Sequence, residues 1–162
     1  MYLGANIRLT QCNGINGIIN QAKKEGSNFI QIFLKSPQST LGPRYKKNKL
    51  LKIKKKLEDN NIKIVIHASY MLNFCNSNNT FIYKNAVRLL VQDLEDSVYI
   101  GSIGVVVHMG KNVRKLNFTV HKAIENYVYG IKEVLEKSPK ESTIILETGA
   151  GQGSEICTSI FQ

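Results

Sequence analysis

Five short apolar runs rich in Ile and Val recur along the chain: Tyr2–Ile7, Phe29–Leu34, Ile62–Ile66, Ile103–Val107 and Thr143–Leu146. Each has four to six residues, short for a helix, and the richness in Ile and Val predicts strands buried in a parallel sheet. The stretches between them repeat with a helical period instead. Phe81, Ala86, Leu89, Leu90, Leu94 and Val98 share one face, as do Val120, Ile124, Tyr127, Ile131 and Val134, with Asn117 as the expected cap of the latter helix. Ile18, Ile19 and Ala22 predict a first helix, and Leu50, Ile53 and Leu57 a second. The order is βαβαβαβαβ, with a last short helix expected near Gly153. Parallel strands need helical crossovers that cover the sheet. Two architectures satisfy this α/β pattern: an open doubly wound sheet, or the first five strands of a (β/α)8 barrel.

At 162 residues, without a linker or low-complexity segment, the chain is expected to be a single domain over 1–162. Its most irregular stretches are the loop Ser36–Tyr45 and the Asn-rich Asn73–Asn79. A composition of 43% hydrophobic and 21% charged residues supports a packed core and excludes wholesale disorder. No apolar run is long enough to span a bilayer, and the first residues lack the features of a signal peptide. A soluble chain that is neither exported nor membrane-bound is expected. Cys12, Cys75 and Cys157 are odd in number and far apart, which fits free thiols in a reducing, intracellular compartment, whether cytoplasm, nucleus or virion.

The formal charge of +10 points to a polyanionic partner. Part of it reflects a general excess of Lys, which supplies 18 of the 22 basic residues and accompanies many Asn and Ile, all with A/T-rich codons. Clustering survives that discount: Arg44, Lys46, Lys47, Lys49, Lys52, Lys54, Lys55 and Lys56 fall within thirteen residues, with no acid before Glu58. Such a block most often forms a solvated helix face and less often a nucleic-acid contact.

The chemistry lies at the ends of the strands. Ile64-Val65-Ile66 runs into His67, Val105-Val106-Val107 into His108, and Ile144-Ile145-Leu146 into Glu147. The carboxyl edge of a parallel sheet is where active sites lie. One such His is usually structural, and one such Glu is usually a cap or surface group; three metal-competent residues in the same phase of neighbouring strands change the odds. Two His and one Glu with an open fourth position form a catalytic zinc set. His121 falls inside a helix and reads as an ordinary surface residue. Gly149-Ala-Gly-Gln-Gly-Ser154 has Ser where a dinucleotide fingerprint needs its third Gly, so it reads as a tight turn at the mouth of the site.

These residues resemble the endonuclease IV family of zinc-dependent apurinic/apyrimidinic endonucleases. The likeness rests on Gly4-Ala5 in the first strand, His67-Ala-Ser-Tyr70-Met-Leu-Asn73 after the third, His108-Met-Gly110 after the fourth and Glu147-Thr-Gly-Ala-Gly-Gln-Gly-Ser154 after the fifth. The last block is similar to the family's Glu-Asn-Thr-Ala-Gly-Gln-Gly-Ser signature. The resemblance implies a (β/α)8 barrel of which this chain covers about the first five βα units. It implies base-excision repair: hydrolysis of the phosphodiester 5′ to an abasic site in double-stranded DNA, leaving a 3′-hydroxyl and a 5′-deoxyribose phosphate. It also implies metal ligation by His67, His108 and Glu147, with Glu147 the catalytic carboxylate, and DNA contacts by Tyr70, Lys35 and Gln38.

The chain departs from the family at named positions. Asn6 stands where the first strand usually carries His, and Ser36-Pro37-Gln38 where the family often has an Arg. The family's later ligands, from strands six to eight, have no counterpart here. About one zinc ion of the family's three is therefore expected, with little turnover unless a complementary carboxyl-terminal half is supplied. Two other readings stand beside this one: a non-catalytic relic or DNA-binding module, and a barrel sugar isomerase or epimerase.

Overall fold

The computed structural model describes residues 1–7, 12–40, 45–113 and 119–159. Its elements are β1 (Gly4–Asn6), α1 (Gly14–Lys24), β2 (Phe29–Ile32), α2 (Lys47–Asp59), β3 (Lys63–His67), α3 (Phe81–Ile100), β4 (Val105–His108), α4 (Val120–Lys137) and β5 (Ile144–Glu147). The strands form one parallel sheet in the order β1-β2-β3-β4-β5. A doubly wound sheet reverses its strand order at a switch point. This order never reverses, so the sheet is the barrel segment of the two architectures considered.

Residues paired across a ladder share a face, and successive residues alternate between faces. The rows Ala5–Ile30–Ile64 and Ile32–Ile66–Val105–Ile144 therefore lie on one side. Ile30, Ile32, Ile64, Ile66, Val105 and Val107 are buried in the hydrophobic core with Ile18, Ile19 and Ala22 of α1, Leu50 and Leu57 of α2, Leu90 and Leu94 of α3, and Tyr127 and Val134 of α4. Burying each of the Ile, Leu and Val side chains is worth about 1.5–3 kcal/mol.

The opposite rows are Asn6–Gln31–Val65, His67–Val106–Ile145 and His108–Glu147. An apolar interior is the natural expectation for this side. Its composition is mixed instead, with Asn6 donating to the Gln31 side chain at 3.2 Å. The stretches Tyr2–Ile7 and Phe29–Leu34 hid this because their polar inward positions are isolated among apolar neighbours.

The helices follow the expected spacing, with three differences. Phe81 and Val120, expected on buried faces, are both exposed, because each is the first helical residue and precedes the turn that meets the sheet. Asn117 lies outside the described residues; α4 is capped by Thr119, whose hydroxyl accepts from the Lys122 N–H, as Thr80 caps α3 by accepting from Tyr83. No helix forms near Gly153 among the described residues. Positive φ at Gly151, Gly153 and Cys157 breaks the helical path, and the segment docks on the loop after β4 instead.

Cys12, Cys75 and Cys157 are free thiols, and no helix among the described residues is long and apolar enough to cross a membrane.

Candidate metal centre

His67, His108 and Glu147 are the last residues of β3, β4 and β5 rather than the first residues beyond them. That one-position difference is what positions them: their backbones remain in the ladder. His67 is in register with Val106, and His108 with Glu147. By alternation all three side chains leave the helix-covered core for the opposite face. His67 Nε2 lies 3.2 Å and His108 Nε2 3.5 Å from the same Glu147 oxygen, Oε2. One ligand atom from each residue lies within 4.8 Å of the other two.

The electrostatics favour a cation between them. His67 Nδ1 is 2.7 Å from the Ala68 carbonyl oxygen. Only a protonated ring nitrogen can satisfy that contact, so in the neutral imidazole the Nε2 lone pair faces the Glu147 carboxylate. A backbone carbonyl that fixes the tautomer in this way is a regular accompaniment of metal-ligating His. Burial pushes His108 below its ordinary value, against the upward pull of the Glu147 carboxylate. Two nitrogen donors and one carboxylate oxygen converge with little to separate their lone pairs, a donor set that fits a divalent metal with an open coordination position.

Aromatic rings wall the site. The Tyr70 ring stands 5.2 Å from the His67 ring and 5.1 Å from that of His108, and it is about half exposed. Phe33 lies 4.6 Å from His67 and 5.3 Å from Tyr70. The segment at residues 36–40 is tied to the same mouth: Ser69 Oγ reaches the carbonyls of Pro37 and Ser39, and the Tyr70 N–H donates to Pro37 O at 2.9 Å. Gln38 is thereby held, exposed, beside Tyr70. Lys35 is placed elsewhere. Its ammonium pairs with Asp93 of α3 at 2.6 Å, and its side chain is only 7% exposed, so it is turned away from any surface ligand.

Asn73 clamps two of the loops together. Its Oδ1 accepts from the N–H groups of Cys75 and Lys111, and its Nδ2 donates to Lys111 O at 2.9 Å. Gly110 makes room for it: at φ +87°, a Cβ there would stand 2.8 Å from Asn73 Oδ1. The glycine-rich segment after β5 joins the same loop through Asn112 N–H to Ser154 O, Ile156 N–H to Gly110 O, and a Lys111–Glu155 ion pair. The turn expected from Gly149 to Ser154 thus serves as a docking segment. Sequence reasoning missed Phe33, hidden in an apolar run, and the roles of Asn73 and Glu155. The only signal for those two was their place, Asn73 at the end of the His67 block and Glu155 just after the Glu147 block. His121 is the surface residue expected, 3.3 Å from Glu125.

Comparison with known proteins places this geometry in a family. The model of the xylose isomerase-like TIM barrel family matches residues 19–162. A protein of Acanthamoeba polyphaga mimivirus provisionally named endonuclease 4 is 38% identical over 160 residues, covering 98% of this chain and 51% of its own length. Among solved structures, endonuclease IV from Thermus thermophilus superposes with a TM-score of 0.76 at 24% identity, covering 97% of this chain and 55% of that one. A D-tagatose 3-epimerase-like protein superposes with a TM-score of 0.73 at 16% identity, covering 97% and 56%. The last two likenesses speak to fold alone. The chain spans about half the length of each protein it matches here.

Proposed function

The chain belongs to the xylose isomerase-like TIM barrel family, and from that premise we propose that it carries the strand-three-to-five portion of a zinc-dependent endonuclease site for abasic DNA. The convergence of His67, His108 and Glu147 on the mouth of the sheet carries this reading. The mimivirus relative favours the nuclease over a sugar epimerase, because the epimerase-like likeness is one of fold.

His67 and His108 would hold zinc through Nε2 and Glu147 through its carboxylate. A bound zinc ion supplies positive charge that polarises a phosphoryl oxygen. The chain's own residues orient and enclose. The Ala68 carbonyl keeps the His67 proton on Nδ1. Tyr70, half exposed above both imidazoles, offers a ring face to the sugar at a baseless position, with Gln38 beside it. Asn73 and Glu155 hold the three strand-end loops at fixed separation. The product would be a nick with a 3′-hydroxyl and a 5′-deoxyribose phosphate. With one carboxylate and two imidazoles in hand, the chain binds about one ion; a complementary carboxyl-terminal half would supply the other two sites and most of the turnover. The inward Asn6, tied to Gln31 where the family has a His, favours a second reading: a non-catalytic DNA-binding remnant.

Metal analysis and strand incision test the proposal together. The purified chain should retain about one zinc per molecule, lost in His67→Ala and Glu147→Gln. It should nick an abasic duplex only when mixed with a polypeptide covering the later strands of a longer relative. Failure to hold zinc would remove the proposal, and zinc binding with no complemented incision would favour the remnant. Robust, chelator-sensitive incision by the chain alone would refute the need for a second half.

A further inference from the structure

The first half of α2 departs from the electrostatics that stabilise a helix. Lys46 occupies its cap position without a capping side chain, Lys47 and Lys49 follow, and its first turn holds no acid. Cations at this end oppose the helix dipole. The last half differs. Lys54 and Lys55 are answered at i+4 by Glu58 and Asp59, and Lys56 donates to Asn16 at 2.9 Å. Among the described residues no carboxylate pairs with Lys46, Lys47, Lys49 or Lys52, all exposed. Two of them rest on aromatic rings instead: Lys47 Nζ lies 4.5 Å from the centre of the Tyr99 ring and Lys49 Nζ 5.0 Å from that of Tyr45. Such contacts position an ammonium without neutralising it.

We infer that Lys46, Lys47, Lys49 and Lys52 form a second nucleic-acid contact, separate from the metal centre, which grips the phosphate backbone of duplex DNA irrespective of sequence or lesion. Lys46, Lys49 and Lys52 follow one another at i, i+3 on a single stripe about 9 Å long at 1.5 Å rise per residue, a length over which a duplex presents several phosphates. The patch suits phosphates better than the other anionic surfaces. A bilayer-binding helix needs an exposed apolar face, but Leu50 and Leu57 are committed to the core and Ile53 packs against it, which leaves Leu51 as the one exposed apolar side chain of α2. A protein partner needs a buried anchor of aromatic residues or Arg, and lysines are depleted at such interfaces. The choice of DNA among nucleic acids rests on the reading of the metal centre as a DNA site. By topology the start of α2 follows the loop from the carboxyl end of β2, whose segment at 36–40 is tied to Tyr70, so both contacts face the same end of the sheet.

The test is a salt titration of binding to a short duplex, intact or with one abasic site, using the 162-residue chain and the variant K46Q/K47Q/K49Q/K52Q. Four lost phosphate contacts at about 0.9 each should make the log–log slope shallower by about 3.6. Between about 50 and 200 mM salt this means about 150-fold less loss of affinity than in the unsubstituted chain. The change should be equal on both duplexes and should persist in an H67A/H108A background, so failure of the metal-centre reading would leave it standing. The control K54Q/K55Q, which removes lysines already answered by acids, should move the slope by less than about 0.9. Circular dichroism should show the same helix content in every variant. An unchanged slope in the quadruple variant would overturn the inference, as would a loss confined to the abasic duplex. So would equal loss with K54Q/K55Q, tighter binding to duplex RNA, or a requirement for these lysines only on phosphatidylserine vesicles.

Discussion

Within β3, Ile64 and Ile66 enter the core between sheet and helices, whereas Val65 and His67 face the other way, where the core does not extend. The same alternation separates Val105 and Val107 from Val106 and His108 in β4. One side of the sheet packs against the helices and the other carries the candidate metal centre, with the two interleaved one residue at a time. Neighbours in sequence should therefore fail in different ways, one by unfolding and the other by losing metal.

The severest break is expected on the helix-covered side, at the buried Lys35–Asp93 pair. Burial pushes the Asp93 carboxyl up, and Lys35 opposes that shift. Lys35→Ala would strand a carboxylate in the core and should cost about 3–5 kcal/mol in urea unfolding, while Lys35→Met with Asp93→Leu should recover most of it. A single-variant cost below about 1 kcal/mol, the range of exposed pairs, would show the pair to be solvated.

Ile66→Ala, one residue before His67, should cost about 2–5 kcal/mol through the cavity it leaves. Glu147→Gln on the other face should change the stability of the metal-free protein by less than about 0.5 kcal/mol and yet abolish zinc retention. Equal unfolding midpoints for the two would dissolve the distinction between the faces.

Gly110 sharpens the comparison because it lies in the loop after β4, where it accommodates Asn73. Gly110→Ala meets positive φ and the Asn73 carboxamide together; about 1–3 kcal/mol of stability should be lost. Zinc affinity should drop about 10–100-fold, as for partners that support ligands from outside the coordination shell. Calorimetry and zinc titration of the same preparation would measure both. The smallest effect should come from Thr119→Ala. Loss of the α4 cap costs about 1 kcal/mol with no change in zinc stoichiometry, which thermal unfolding with metal analysis would check.

The strands and the strand-end positions of His67, His108 and Glu147 were legible because periodicity and strand-end position are local properties. Each of the five apolar runs contains its strand, apart from the closing ligand residue that three of them gained. The convergence was legible only as a repetition of phase, since no single residue announces a partner on another strand. Lys35 shows where such reading ends. The family resemblance implied a DNA contact for it, but its partner, Asp93, lies 58 residues away on α3, and nothing near either residue signals the pairing. The segment after Gly153 failed for a related reason. Its helical prospects were outweighed by left-handed glycines and by hydrogen bonds to the loop after β4.

The register has a geometric consequence. Adjacent strands stand about 4.8 Å apart, so backbones two strands apart, like those bearing His67 and Glu147, are separated by about 9.6 Å in a flat sheet. Their side chains nevertheless meet at 3.2 Å. His67 is also staggered one pleat behind the His108–Glu147 rung, being level with Val106. The donors consequently form a triangle rather than a line, so that one ion could meet all three from a single side. The shear that allows parallel strands to curl toward a cylinder is thus also what turns three strand endings into a tripod.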